Sequence, residues 1–154
     1  MNRKLFLTLV CIFILFGCIG EQTETTIMGK IISINEVFLT EYDDSIDIDS
    51  PAVWHGDDSH LLITTAKQAD VLVVYDAARG NTLRTVGKPG TGLGELERPN
   101  GIMVVNDILF VVERDNARIQ VFDLPSFEPR GFIGEDTLIR PYGIFAYAED
   151  DEHH

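Results

Sequence analysis

The chain repeats itself. Residues 62–76 read LITTAKQADVLVVYD, and residues 109–123, about 47 positions later, read LFVVERDNARIQVFD. Upstream, Pro51-Ala52-Val53 faces Pro99-Asn100-Gly101-Ile102; downstream, Leu83-Arg84-Thr85-Val86-Gly87 faces Pro129-Arg130-Gly131-Phe132-Ile133-Gly134. Arg140-Pro141-Tyr142-Gly143-Ile144 then restarts the motif Arg98-Pro99-Asn100-Gly101-Ile102. Within one repeat the apolar runs are short, β-branched or aromatic, and bounded by turn residues: Ala52-Val53-Trp54, Leu61 to Thr65, Val71 to Tyr75 and Leu83 to Val86. They do not alternate cleanly, as expected for sheets covered on both faces. A period of about 40–50 residues built from short strands marks a β-propeller blade. The fold expected is therefore all-β, a partial six-bladed β-propeller of about two blades plus the start of a third.

The ends of the chain read differently. Asn2-Arg3-Lys4 is a basic start, and residues 5–16 are an almost unbroken apolar run, shorter than the roughly 20 residues that span a bilayer. Residues 1–17 are read as a lipoprotein signal peptide, because Leu15-Phe16-Gly17-Cys18 resembles the lipobox whose cysteine is acylated and becomes the new N-terminus. An uncleaved membrane anchor is the alternative. Either way the remainder is placed outside the cytoplasm, tied through Cys18 to the outer face of the cytoplasmic membrane. Residues 18–26 are polar and read as a flexible tether, and residues 27–154 as the incomplete propeller. The apolar stretches within residues 30–42 are expected to give one or two further strands. Cys11 lies within the apolar run and Cys18 at its end, so the exported part has no cysteine pair and no disulfide framework is expected.

A formal charge of −13 argues against nucleic acid and anionic lipid as main partners, since phosphate backbones demand Lys and Arg. An acidic surface suits metal cations, or simply solubility. The glycine-rich stretch 87–94 lacks a Gly-Lys-Ser/Thr ending and a following helix, so it reads as a connection between blades rather than a nucleotide loop. His153-His154 form a poor metal site at a chain end.

Asp49-Ser50-Pro51-Ala52-Val53-Trp54, Leu62-Ile63-Thr64-Thr65-Ala66-Lys67 and Val73-Val74-Tyr75-Asp76 together resemble the opening blade of β-propeller phytases. The second repeat is similar to an NHL repeat, from Gly90-x-Gly92-x-Gly94 through Arg98-Pro99-x-Gly101-Ile102 to Asn116-x-Arg118-Ile119-Gln120-Val121-Phe122. The phytase resemblance implies a calcium-dependent phosphatase acting on phytate, in which bound metal lets a polyanion approach an acidic protein. Mapped onto this chain, it implies that Asp49 is linked to metal and that Lys67 and Arg114 contact phosphate. Lys67 and Arg114 also align with each other in the internal repeat, which places both on the same side of the ring.

The chain departs from that family at Ser50, where the motif has a second Asp, and at Met103, where it has an acidic ligand. The remaining carboxylates would lie in later blades, so the chain is read as an N-terminal fragment, truncated and without activity of its own. The competing reading is a non-enzymatic NHL-type propeller that binds a partner at the cell surface. Each site residue also has a plain structural reading: Asp49 as a turn cap, Lys67 and Arg114 as turn residues, Trp54 as a core anchor, residues 113–116 as a partly solvated hairpin tip. Open blade faces are expected to expose members of Leu62, Val73, Val111 and Phe122. Burial of each is worth about 1.5–3 kcal/mol, so self-association or partial unfolding follows.

Overall fold

Each run bounded by turn chemistry becomes a strand. The computed structural model describes residues 32–40 and 44–148; the leader 1–17, Cys18 and the tether 18–26 fall outside them. The chain divides after Ile34. Of the first unit only residues 32–34 are described, without helix or strand, and all the strands named below belong to the unit from Asn35 onward. Among the described residues no helix is long and apolar enough to cross a membrane.

Strands β1 (Ile48–His55), β2 (His60–Ala66), β3 (Val71–Asp76) and β4 (Thr82–Val86) form one four-stranded antiparallel sheet in chain order. Strands β5 (Pro99–Val105), β6 (Ile108–Glu113), β7 (Arg118–Asp123) and β8 (Glu128–Ile133) form a second with the same order. The protein is all-β, two meanders of one plan.

The pairing register corrects the sequence alignment of the first strands. Ile48 pairs with Ala66 and Pro99 with Glu113, while Pro51 pairs with Thr64 and Ile102 with Val111. Pro99 therefore corresponds to Ile48, and the counterpart of Pro51 is Ile102. Asp49 corresponds to Asn100, Ser50 to Gly101, Thr65 to Val112, Ala66 to Glu113 and Lys67 to Arg114. The expected match of Pro51 with Pro99 fails because the connection between β1 and β2 is longer than that between β5 and β6. Both first strands carry a bulge at the same place.

The sheets stack face to back. Trp54, Leu61, Ile63, Leu72 and Val74 share one face of the first sheet and meet Ile102, Leu109, Val111 and Phe122 of the second. The residues of the first sheet that correspond to that second set point the other way, into a separate cluster of Ala66, Val73, Tyr75, Leu62 and Val71, capped by Ile46. Equivalent faces thus look in the same direction. The sheets approach closely where β5 lies against β1 and β2; Leu96, Leu124 and Phe127 complete the core between them. Trp54 is the inter-sheet anchor expected of it: its indole N–H donates to Asp107 Oδ1 at 2.8 Å. Arg84 ties the sheets again, donating to the Pro125 carbonyl at 2.9 Å and lying over the Phe127 ring.

Three expectations are corrected. Val73, Val111 and Phe122 are buried rather than open to solvent: the last two face the first sheet, and Val73 packs in the cluster beneath Ile46. Residues 32–40 form no strand, and Val37 and Leu39 are exposed; β-propensity without a pairing neighbour does not make a sheet. Residues 144–147, read in the sequence as a strand of the third blade's start, form none either, with Phe145 and Tyr147 exposed.

Candidate functional site

One end of both sheets is formed by the turns after β2 and β6 and by the residues leading into β1 and β5. Among the described residues, four Lys and Arg side chains belong to it: Lys67, Arg98, Arg114 and Arg140. The backbone repeats closely here. Lys67 N–H donates to the Asp47 carbonyl at 3.0 Å and Arg114 N–H to the Arg98 carbonyl at 3.3 Å. Asp47 and Arg98 both sit at φ 48°, and Arg140 at φ 50°, a left-handed conformation that non-glycine residues seldom adopt.

Lys67 Nζ lies 3.0 Å from Asp49 Oδ1 and 3.5 Å from Asp47 Oδ2, with its side chain mostly shielded. The hydrogen bond to Asp49 holds this ammonium above its ordinary value; partial burial opposes this, and Asp47 and Tyr142 add to it. Asp49, the residue implied to hold metal, thus has Lys67 as its cation. Among the described residues no three His, Cys, Asp or Glu side chains converge. Calcium takes 6–8 oxygen ligands, and the donor set here, one Lys-bridged carboxylate pair, does not fit it.

At the corresponding position of the second sheet, Asn100 replaces Asp49, and Arg114 turns to its own neighbour. Its Nε and Nη2 donate to Asp115 Oδ1 and Oδ2 at 2.7 and 3.0 Å. This two-pronged geometry is the one in which guanidinium grips carboxylate or phosphate. Arg114 is the main reason that the Asp115 carboxyl is held below its ordinary range, with Arg140 and Arg98 adding to the effect. The guanidinium of Arg114 is in turn raised by Asp115 first and by Tyr142 more weakly. Tyr142 thus lies close enough to add weakly to the raised values of both Lys67 and Arg114. Two polar atoms buried at this end, Arg98 Nε and Asn100 Oδ1, make no hydrogen bond to any described residue.

Tyr142 is brought here by a change at the sheet junction. In the first sheet Ser50 N–H donates to Thr65 Oγ1 at 3.0 Å, and that hydroxyl donates to the Asn100 carbonyl at 2.9 Å. In the second, Val112 replaces Thr65, and Gly101 N–H donates directly to the Tyr142 carbonyl at 2.9 Å. A side chain on Gly101 would meet Tyr142 O at 2.8 Å and Gly143 Cα at 2.9 Å, so glycine is what permits the approach.

Sequence reading missed a buried polar network beside this end. Residues 113–116 were expected as a partly solvated tip, yet Glu113 is fully buried. Its Oε1 accepts from Arg118 Nε and Gln120 Nε2, both at 2.9 Å, and its Oε2 accepts from Asn116 Nδ2. Arg118 also donates to the Thr91 carbonyl at 2.7 Å and lies 3.7 Å over the Phe132 ring. Gln120 Nε2 donates to the Glu95 carbonyl at 2.8 Å and Asn116 Nδ2 to the Gly90 carbonyl at 3.0 Å. The glycine-rich connection is thus pinned to the second sheet by side chains. The available signal was a charged and amide triad, Glu113, Arg118 and Gln120, at strand positions that place it on one face.

No family model matches the chain, and no curated protein matches it.

Proposed function

We propose that the two sheets are consecutive blades of a six-bladed β-propeller, and that the end carrying Lys67 and Arg114 recognises phosphate groups of a small molecule such as phytate. The architecture is supported by face-to-back stacking, which propagates into a ring when the same step is repeated. The restart at Arg140, with the backbone conformation of Arg98, supports it as well. The observation that carries the binding reading is the equivalence of Lys67 and Arg114 in register, with Tyr142 close to both.

Asp115 stands where a phosphate oxygen would. Three guanidinium groups lower its pKa, so the field at that point favours an anion. A phosphate that displaces Asp115 takes the same fork from Arg114 and offers an acceptor to Arg98 Nε. In the phytase-like reading the exported protein, held through Cys18, presents this end to phosphorylated small molecules outside the cytoplasm. Calcium would supply charge neutralisation there, but the described carboxylates do not fit it, and no hydrolytic step rests on them.

Titration calorimetry with inositol hexakisphosphate tests the proposal. Saturable binding, weakened at least about tenfold in Arg114→Gln as expected for loss of a charge-assisted pair, supports it. Equal affinity of the two proteins, or none in either, defeats it. Calcium-stimulated phosphate release would add the enzymatic half.

The second reading, an NHL-type binding module without catalysis, is favoured by one observation. Asn116, Arg118 and Gln120 of the NHL-like signature are spent on pinning the glycine-rich connection, a structural task that implies no chemistry.

A further inference from the structure

The opposite end of the first sheet carries a feature independent of the anion site. His55 and His60 are direct cross-strand partners, the last pair before the turn between β1 and β2. Both are exposed, and their Nδ1 atoms lie 3.3 Å apart. The rings are 5.0 Å apart between centroids and inclined at 64°, so they are edge-on rather than stacked.

We propose that His55 and His60 form a two-imidazole clamp for a divalent transition-metal ion. Two nitrogens of a tetrahedral site with metal–nitrogen bonds of about 2.0–2.1 Å stand about 3.3 Å apart, the separation already present here. The contact is a hydrogen bond when one ring carries its proton on Nδ1; with both protons on Nε2, both Nδ1 lone pairs are free to bind one ion. The hairpin holds them in place. Gly56 N–H donates to the Ser59 carbonyl at 2.9 Å, and the Trp54 ring packs directly under Gly56. Little ordering is then required on binding. Asp57 and Asp58 in the turn add negative charge that favours a cation.

Imidazole selects Cu²⁺, Ni²⁺ or Zn²⁺ over calcium and magnesium, which take oxygen ligands. No third His, Cys, Asp or Glu joins the pair among the described residues. Water completes the shell, and the bound ion keeps open positions.

Trp54 is the chain's only tryptophan and reports on the site, since Cu²⁺ quenches a nearby indole. The protein to use carries His153→Asn and His154→Asn, so that the terminal pair contributes nothing. Saturable one-to-one quenching is expected, with affinity reduced at least about tenfold in His60→Asn, because the second ligand acts at high effective concentration. His60 is a surface residue, so this variant is expected to fold, and an unchanged far-ultraviolet spectrum checks it. Ni²⁺ should also raise the melting temperature of the His60 protein and leave that of His60→Asn unmoved. Quenching that never saturates, or that is the same in both proteins, overturns the clamp.

Discussion

Ala66 and Glu113 occupy the same register position in their two sheets, and both are fully buried. Ala66 pairs with Val71 where Glu113 pairs with Arg118. Val73 likewise stands where Gln120 stands, as their pairing with Thr64 and Val111 shows. One position set thus has two solutions. In the first sheet it is a small apolar cluster; in the second it is an ion pair with amide partners that reaches the backbone of the glycine-rich connection.

This difference yields a stability prediction. Arg118→Val alone leaves Glu113 buried without its cation and should destabilise by about 3–5 kcal/mol. Adding Glu113→Ala, which copies the first sheet, should recover part of that loss, because no buried charge remains. Urea melts of the single and double variants measure it. A double variant at least as unstable as the sum of both singles would run against this reading.

The junction at Gly101 gives a second prediction. Gly101→Ala places a methyl group against Tyr142 O and Gly143 Cα, so the segment after Arg140 should be displaced while both sheets stay intact. Chymotryptic cleavage after Tyr142, Phe145 or Tyr147, all exposed, is expected to become several-fold faster than in the wild type, with unchanged far-ultraviolet circular dichroism. Equal cleavage rates would mean that the close approach is not what holds the segment.

The titratable groups set a pH profile. Asp76, Glu95 and Asp115 are held below their ordinary values, chiefly by Arg79, by the Gly92 N–H and by Arg114 in turn. Their contribution to stability is full above the ordinary carboxylate range, about 3.9–4.3, and is lost as pH falls through the lowered values. Lys67 is raised, mainly by Asp49; its contribution is full below the ordinary lysine value of about 10.4 and is lost as pH rises further. Urea midpoints should therefore stay level between about pH 5 and 10, then fall on both sides. Because all four groups reach solvent, salt should flatten the acid limb. A steady decline from neutrality towards pH 9 would rule this assignment out.

Much of the sheet structure was legible in the sequence because turn residues bracket each apolar run, and hairpin pairing needs only local contacts. The runs around Leu61, Val71 and Leu83 became strands as read. Register at the first strands was not legible: Pro51 and Pro99 look alike, but the bulge and the unequal hairpin connections shift one against the other. Residues 37–39 read as a strand from propensity, which carries no information about whether a neighbour exists to pair with them. At the candidate site, Lys67 and Arg114 were singled out by the phytase resemblance, and their equivalence in register was legible because it survives in the repeat. The partners were not: Asp47 and Arg98 reach the site through left-handed backbone, and Tyr142 through a hydrogen bond between distant segments. Glu113 was misread because a charged residue beside a turn is usually solvated, and only its donors, the side chains of Asn116, Arg118 and Gln120 and the Glu97 N–H, explain its burial.

The functional proposal stands or falls on whether Lys67 and Arg114 serve one anion. A double-mutant cycle on inositol hexakisphosphate affinity addresses this, using wild type, Lys67→Gln, Arg114→Gln and the double variant. Residues that share a ligand couple, so the loss in the double variant should differ from the sum of the single losses by about 0.5 kcal/mol or more. Strictly additive losses, or an affinity that ignores both substitutions, would refute a shared site.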